Sequence, residues 1–190
     1  IRNSVGSDAF VRPEKLGGNK KLGSSIEAIT AFLKGGLPYQ AVSEFGLPLG
    51  REGRNVLLTF ITQATRHGIR TLWINCHEDL LIFPPAWFAK GVDPEKIIFA
   101  DSSNPLKDLK RAIMQPLFKF IVFDADIKTL SLQDCHFLSW NARMYHQIIV
   151  IIRKFFLSNR KGNSFVKLRI NAYRNSKSHQ YAIHIIKGLP

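Results

Sequence analysis

Gly35-Gly36-Leu37-Pro38, then Ala41-Val42-Ser43-Glu44-Phe45-Gly46, then Leu47-Pro48-Leu49-Gly50-Arg51-Glu52-Gly53-Arg54-Asn55 follow one another with only Tyr39 and Gln40 between the first two. The mainly apolar run Ala41 to Phe45 is a strand set up by Pro38. The glycines after it make a turn, and Val56, Leu57, Phe60, Ile61 and Ala64 then recur at helical spacing to about Arg66, with Gly68 as the stop. Strand, glycine-rich turn and helix start, in that order, form the place where an α/β domain cradles phosphate, because backbone N–H groups and the helix N-terminus converge there.

The alternation continues outward on both sides. Upstream, Ser24 or Ser25 opens a short helix through Ile26, Ile29 and Leu33, which Gly35-Gly36 ends. Downstream, Arg70 to Asn75 is an apolar strand, Pro84-Pro85 opens a helix to Lys90, and Lys96 to Ala100 is a strand. Pro105 to Met114 is one amphipathic helix, Phe118 to Asp124 a strand, Ser131 to His146 a helix and Gln147 to Ile152 a fully apolar strand. Strands separated by helices over more than a hundred residues predict an α/β fold with a mostly parallel, doubly wound sheet flanked by helices. Ser164 to Tyr173 and Gln180 to Lys187 alternate instead, which predicts an antiparallel C-terminal hairpin of two edge strands with one basic, wet face.

A chain of 190 residues with 45% hydrophobic and 11% aromatic residues has enough apolar side chains for one sizeable core. Two units are expected, a basic N-terminal arm over 1–22 and an α/β domain over 23–190. No apolar run approaches the length of about 18 residues that a membrane span needs, so a soluble, cytoplasmic protein is expected. Cys76 and Cys135 lie in no metal or redox spacing and read as reduced core residues.

The net charge is +13, and Asp134 is the last acidic residue. Arg143, Arg153, Lys154, Arg160, Lys161, Lys167, Arg169, Arg174, Lys177 and Lys187 follow it unbalanced. Such a field favours polyanions or an acidic partner. Phe155-Phe156 beside Arg153-Lys154 adds adjacent aromatics suited to stacking or docking. His77-Glu78-Asp79 has no nucleophile at motif spacing, and His136, His146, His179 and His184 have no metal-ligand periodicity, so no metal is expected. Trp73, Trp140, Phe120 and Phe123 read as core.

Gly23-Ser24, the Gly35 to Pro38 landmark, the strand ending Glu44-Phe45, the glycine turn, Gly68 to Asn75, Gly91-Val92-Asp93 and the strand Phe120-Ile121-Val122-Phe123-Asp124 resemble, in this order, the core of the RecA recombinases. The resemblance spans roughly Gly23 to Lys187 and implies a RecA-like fold. It also places Gly53-Arg54-Asn55 on the G-K-[ST] of a phosphate loop and Pro48 on its first glycine. Arg54 then replaces the lysine that reaches the terminal phosphates, and Asn55 the hydroxyl that holds magnesium. His77, next to Glu78, stands where an acid would orient water, Asn75 where an aspartate is usual, and Asp124 alone keeps its Walker B identity. The two DNA-binding loops are shortened to Ala125 to Leu130 and Phe155 to Lys161, with Lys154 in place of a sensing glutamine.

That pattern is similar to the ImuA branch, accessory proteins of bacterial translesion synthesis with degenerate Walker A motifs. The resemblance implies a non-catalytic role in damage-induced mutagenesis, binding RecA and/or an ImuB-like partner related to Y-family polymerases, near the nucleoid when acting. A DNA-binding RecA-like module, a weak ATPase and a SulA-like inhibitor of a cell-division protein are the alternatives. The degenerate nucleotide site comprises Gly50, Gly53, Arg54, Asn55, His77, Glu78 and Asp124. No cofactor is expected there, ATP and magnesium included. The partner- or DNA-binding set is Arg153, Lys154, Phe155, Phe156, Arg160, Lys161, Lys167, Arg169 and Arg174.

Overall fold

The computed structural model describes residues 20–77, 82–125, 130–159, 162–175, 178 and 180–188. The elements run β1 (Lys21–Leu22), α1 (Glu27–Phe32), β2 (Leu37–Pro38), β3 (Ala41–Gly46), α2 (Arg54–Arg66), β4 (Thr71–Asn75) and α3 (Pro84–Phe88). They continue as β5 (Ile97–Asp101), α4 (Pro105–Asp108), α5 (Lys110–Ile113), β6 (Phe120–Asp124), α6 (Leu132–Tyr145), β7 (Ile148–Arg153), β8 (Val166–Arg174) and β9 (Tyr181–Lys187). The last two residues assigned to the arm, Lys21 and Leu22, form β1, which pairs with β2.

Seven strands make one sheet in the order β5-β4-β6-β7-β3-β8-β9. All neighbours pair in parallel except β8 and β9, which are antiparallel. The central strands are buried on both faces, and their sequences are correspondingly near-continuous apolar runs such as Ile148-Ile149-Val150-Ile151-Ile152. Even residues of β6 and β7 (Phe120, Val122, Ile148, Val150, Ile152) pack beneath α2 with Val56, Leu57, Phe60 and Ile61. Odd residues (Ile121, Phe123, Ile149, Ile151) pack against α5 and α6 through Ile113, Cys135, Leu138 and Ala142. No helix among the described residues is long and apolar enough to cross a membrane.

Three expectations are corrected. β8 is no edge strand: it lies between β3 and β9 and runs parallel to β3, with Ser43 opposite Leu168 and Glu44 opposite Arg169. Its alternating basic residues are therefore not all wet; Lys167 is exposed but Arg169 is buried. The single helix expected over Pro105 to Met114 is two short ones, broken at Leu109 (φ −109°, ψ 13°), whose side chain packs on the core of the α6 face. Finally, Trp140 is 43% exposed rather than core, because α6 turns Leu138, Asn141 and Ala142 inward and leaves Trp140 on the far side. Ser131 caps that helix: its hydroxyl accepts from Asp134 N, and the Asp134 carboxylate accepts in return from Ser131 N.

Candidate functional site

β4 leaves the sheet toward β5 and β6 leaves toward β7, so the chain diverges on either side of the β4–β6 junction. The crevice beyond the C-terminal ends of two such strands is where open α/β sheets bind ligands. Asn75 and Asp124, the last residues of β4 and β6, face each other there in register.

Asp124 is the centre of this site. Arg54, first residue of α2, reaches past the end of β7 and donates Nε to Oδ2 (3.1 Å) and Nη2 to Oδ1 (2.7 Å). His77 Nε2 lies 3.1 Å from Oδ1. Both Asp124 and the His77 side chain are buried, whereas the Arg54 side chain keeps 22% exposure. Burial alone would raise the Asp124 pKa; the hydrogen bonds and positive charges of His77 and Arg54 outweigh it and hold the carboxyl below its ordinary value. Asn75 fixes the loop that carries His77, donating Nδ2 to His77 O and to Asp101 Oδ1 and accepting from His77 N through Oδ1. The neighbouring Cys76 thiol is pushed up to about 12 by burial and then by the negative charge of Asp124.

The glycine turn does not stand open as a cradle but lies on the C-terminal hairpin. A Cβ at Gly53 would collide with the carbonyl oxygen of Ala172, so only glycine lets β8 come this close. Arg174 N donates to Arg51 O (2.7 Å), and the Arg174 guanidinium pairs with Glu52 (2.9 Å). Asn55 donates Nδ2 to Tyr181 Oη and accepts from Lys90 Nζ, tying α2 to β9 and to the segment after α3. Gly50, with φ +71°, is exposed at the tip.

Of the residues assigned to the degenerate nucleotide site, Arg54 and His77 thus both contact Asp124, Gly53 and Asn55 hold the turn to its neighbours, and Glu78 lies outside the described residues. Chemically, a cation would have to displace Arg54 to reach the Asp124 carboxylate. Among the described residues no group of three or more His, Cys, Asp or Glu side chains is arranged to hold a metal.

The basic set does not form one surface. Arg153 and Arg169 are buried on either side of Glu44, donating Nε to Oε1 (2.9 Å) and Oε2 (2.8 Å), which corrects their assignment to a binding face. Burial of Glu44 in an apolar strand demands such partners. Lys154 is half-buried, Phe155, Phe156 and Lys167 are exposed, and Arg174 is engaged by Glu52; Arg160 and Lys161 lie outside the described residues. Phe156 packs edge-on to Tyr173 (5.4 Å), and the Tyr173 ring lies 5.8 Å from His184. Sequence reasoning missed Asn171, whose amide bonds both N and O of Leu157 and so holds the Phe155-Phe156 segment in place. An amide on a strand otherwise alternating apolar and basic was the available signal. No protein-family model matches the chain, and the comparison with curated proteins finds no match either.

Proposed function

We propose that this chain is a non-catalytic, RecA-like accessory protein of bacterial damage-induced mutagenesis. It works by binding RecA and/or an ImuB-like, polymerase-related partner near the nucleoid. The observation that carries the non-catalytic part is the double hydrogen bond from Arg54 to Asp124. It occupies the carboxylate at the Walker B position with the residue that stands in for the phosphate-binding lysine, and a planar guanidinium is a poor substitute in so tight a turn. The docking of the glycine turn on β8 supports the same reading, since the backbone there serves the hairpin. The succession of landmarks from Gly23 to Lys187 supports the RecA-like relationship, and the mostly parallel sheet with its antiparallel β8–β9 pair is compatible with it.

The test is to mix the purified chain, without nucleotide, with RecA and separately with the polymerase-like subunit, and to follow complex formation by size exclusion and ATP turnover in parallel. A nucleotide-independent complex and background turnover are expected. Absence of a complex with both proteins overturns the partner reading, and turnover abolished by Asp124→Asn overturns the non-catalytic one. A second reading, direct contact with single-stranded DNA, is favoured by exposed Phe155 and Phe156 beside Lys154. It requires an affinity that falls steeply with salt.

A further inference from the structure

Helix α6 presents an apolar face to the outside. Leu132 is 59% exposed and Met144 57%, and with Trp140 they stand opposite the buried row of Cys135, Leu138, Asn141 and Ala142. Half-buried Phe137 borders them, packed in part against the core beneath, its ring centroid 6.5 Å from that of Trp140. At roughly 100° per residue these four side chains fall within one outward arc, where a surface helix ordinarily carries charges. The other side chains on the arc are Gln133, His136 and Arg143, none acidic.

The rim of this strip carries two cations: Lys110 Nζ sits 5.8 Å over the Phe137 ring, and Arg143 of α6 itself is exposed. The one carboxylate of α6, Asp134, is turned back onto Ser131 N and Oγ at 2.7 and 2.8 Å.

We propose that the outer face of α6 is the docking surface for an acidic, amphipathic helix of a partner protein. A Leu-Phe-Trp-Met seam accepts apolar anchors one helical turn apart, methionine and the aromatics adapting to their shape. Lys110 and Arg143 meet carboxylates flanking those anchors. Charge selects this occupant over a second copy of the chain, since pairing two α6 faces sets the same cationic rims against each other in a protein of net charge +13. The first 19 residues are also no match, with Arg2, Arg12 and Lys15 against Asp8 and Glu14.

The inference rests on the partner-binding reading above but is tested apart from it. The full chain is titrated into a dye-labelled helical peptide of about 20 residues with leucines along one face and glutamates flanking them, and into its lysine-for-glutamate counterpart. Saturable binding of the acidic peptide alone is expected, weakened about tenfold or more by Leu132→Glu with Trp140→Glu and reduced by added salt. Equal binding of both peptides, no saturable binding, or indifference to the double variant overturns it. So does preferential binding to anionic lipid vesicles, or conversion of a wild-type dimer to a monomer by the double variant. Because both positions are exposed, an unchanged thermal midpoint certifies that the variant is folded. If the variant still captures RecA or the polymerase-like subunit at wild-type strength, the scaffold reading stands and the α6 surface falls. If the wild type captures neither while the acidic peptide binds as expected, the scaffold reading falls and the surface stands.

Discussion

Two carboxylates are buried in this sheet, and they are held differently. Glu44, on β3, lies between Arg153 of β7 and Arg169 of β8, so all three groups belong to adjacent strands and none keeps more than slight exposure. Asp124, on β6, is held by the first residue of a helix and by a loop residue, and one of these, Arg54, is partly in water. The Glu44 cluster fastens three strands and can be opened only by parting them. The Asp124 cluster opens by turning one arginine side chain. A buried ion group built wholly within a sheet is structural, while one that borrows a ligand from a helix start is adjustable, and the second is the group at the divergence of the chain.

The difference can be broken by substitution. Glu44→Gln removes the carboxylate that Arg153 and Arg169 share from its two sides and is expected to cost about 3–5 kcal/mol, the largest of the effects compared, read by urea unfolding. Asp124→Asn should cost less, about 1–3 kcal/mol, because Arg54 can turn to solvent; the reverse ranking would undo the comparison. The same variant sharpens it through pH. The Asp124 pKa is lowered in the folded chain, so the stability it contributes is complete above the ordinary carboxylate range and is lost as pH falls through the folded value. Unfolding midpoints of the wild type and of Asp124→Asn should therefore converge on acidification and separate toward neutrality. Cys76, raised to about 12 first by burial and then by that carboxylate, is expected to resist thiol reagents at neutral pH in the native chain. It should label faster in Asp124→Asn, followed by peptide mapping. Smallest is the exposed pair Arg174–Glu52, where Glu52→Ala should shift stability by at most about 1 kcal/mol.

Most of the sheet was legible because β3, β4, β6 and β7 are buried on both faces and spell that out as apolar runs bounded by glycine or polar residues. The place of β8 was not, since Lys167 and Arg169 look alike in sequence. What buries the second of them is Glu44, more than a hundred residues away. Arg54, His77 and Asp124 could each be singled out by position, yet their contact depends on β7 lying between β3 and β6, which no local pattern encodes. Trp140 misled for a related reason: a large apolar residue on a helix reads as core unless the direction of its neighbours is known, and here Leu138 and Ala142 take the inward side.

The position of β3 also sets the order in which the molecule can assemble. Ala41 to Gly46 has two neighbours in the sheet, β7 and β8, and both come more than a hundred residues later in the chain. During synthesis this strand leaves the ribosome before both of its partners and has no strand to pair with in this sheet until they follow. Closing contacts of such sequence separation is slow, and an apolar strand left waiting is open to association with other chains. The interior of the sheet, buried once formed, thus cannot be completed until the strands on both sides of β3 have been made.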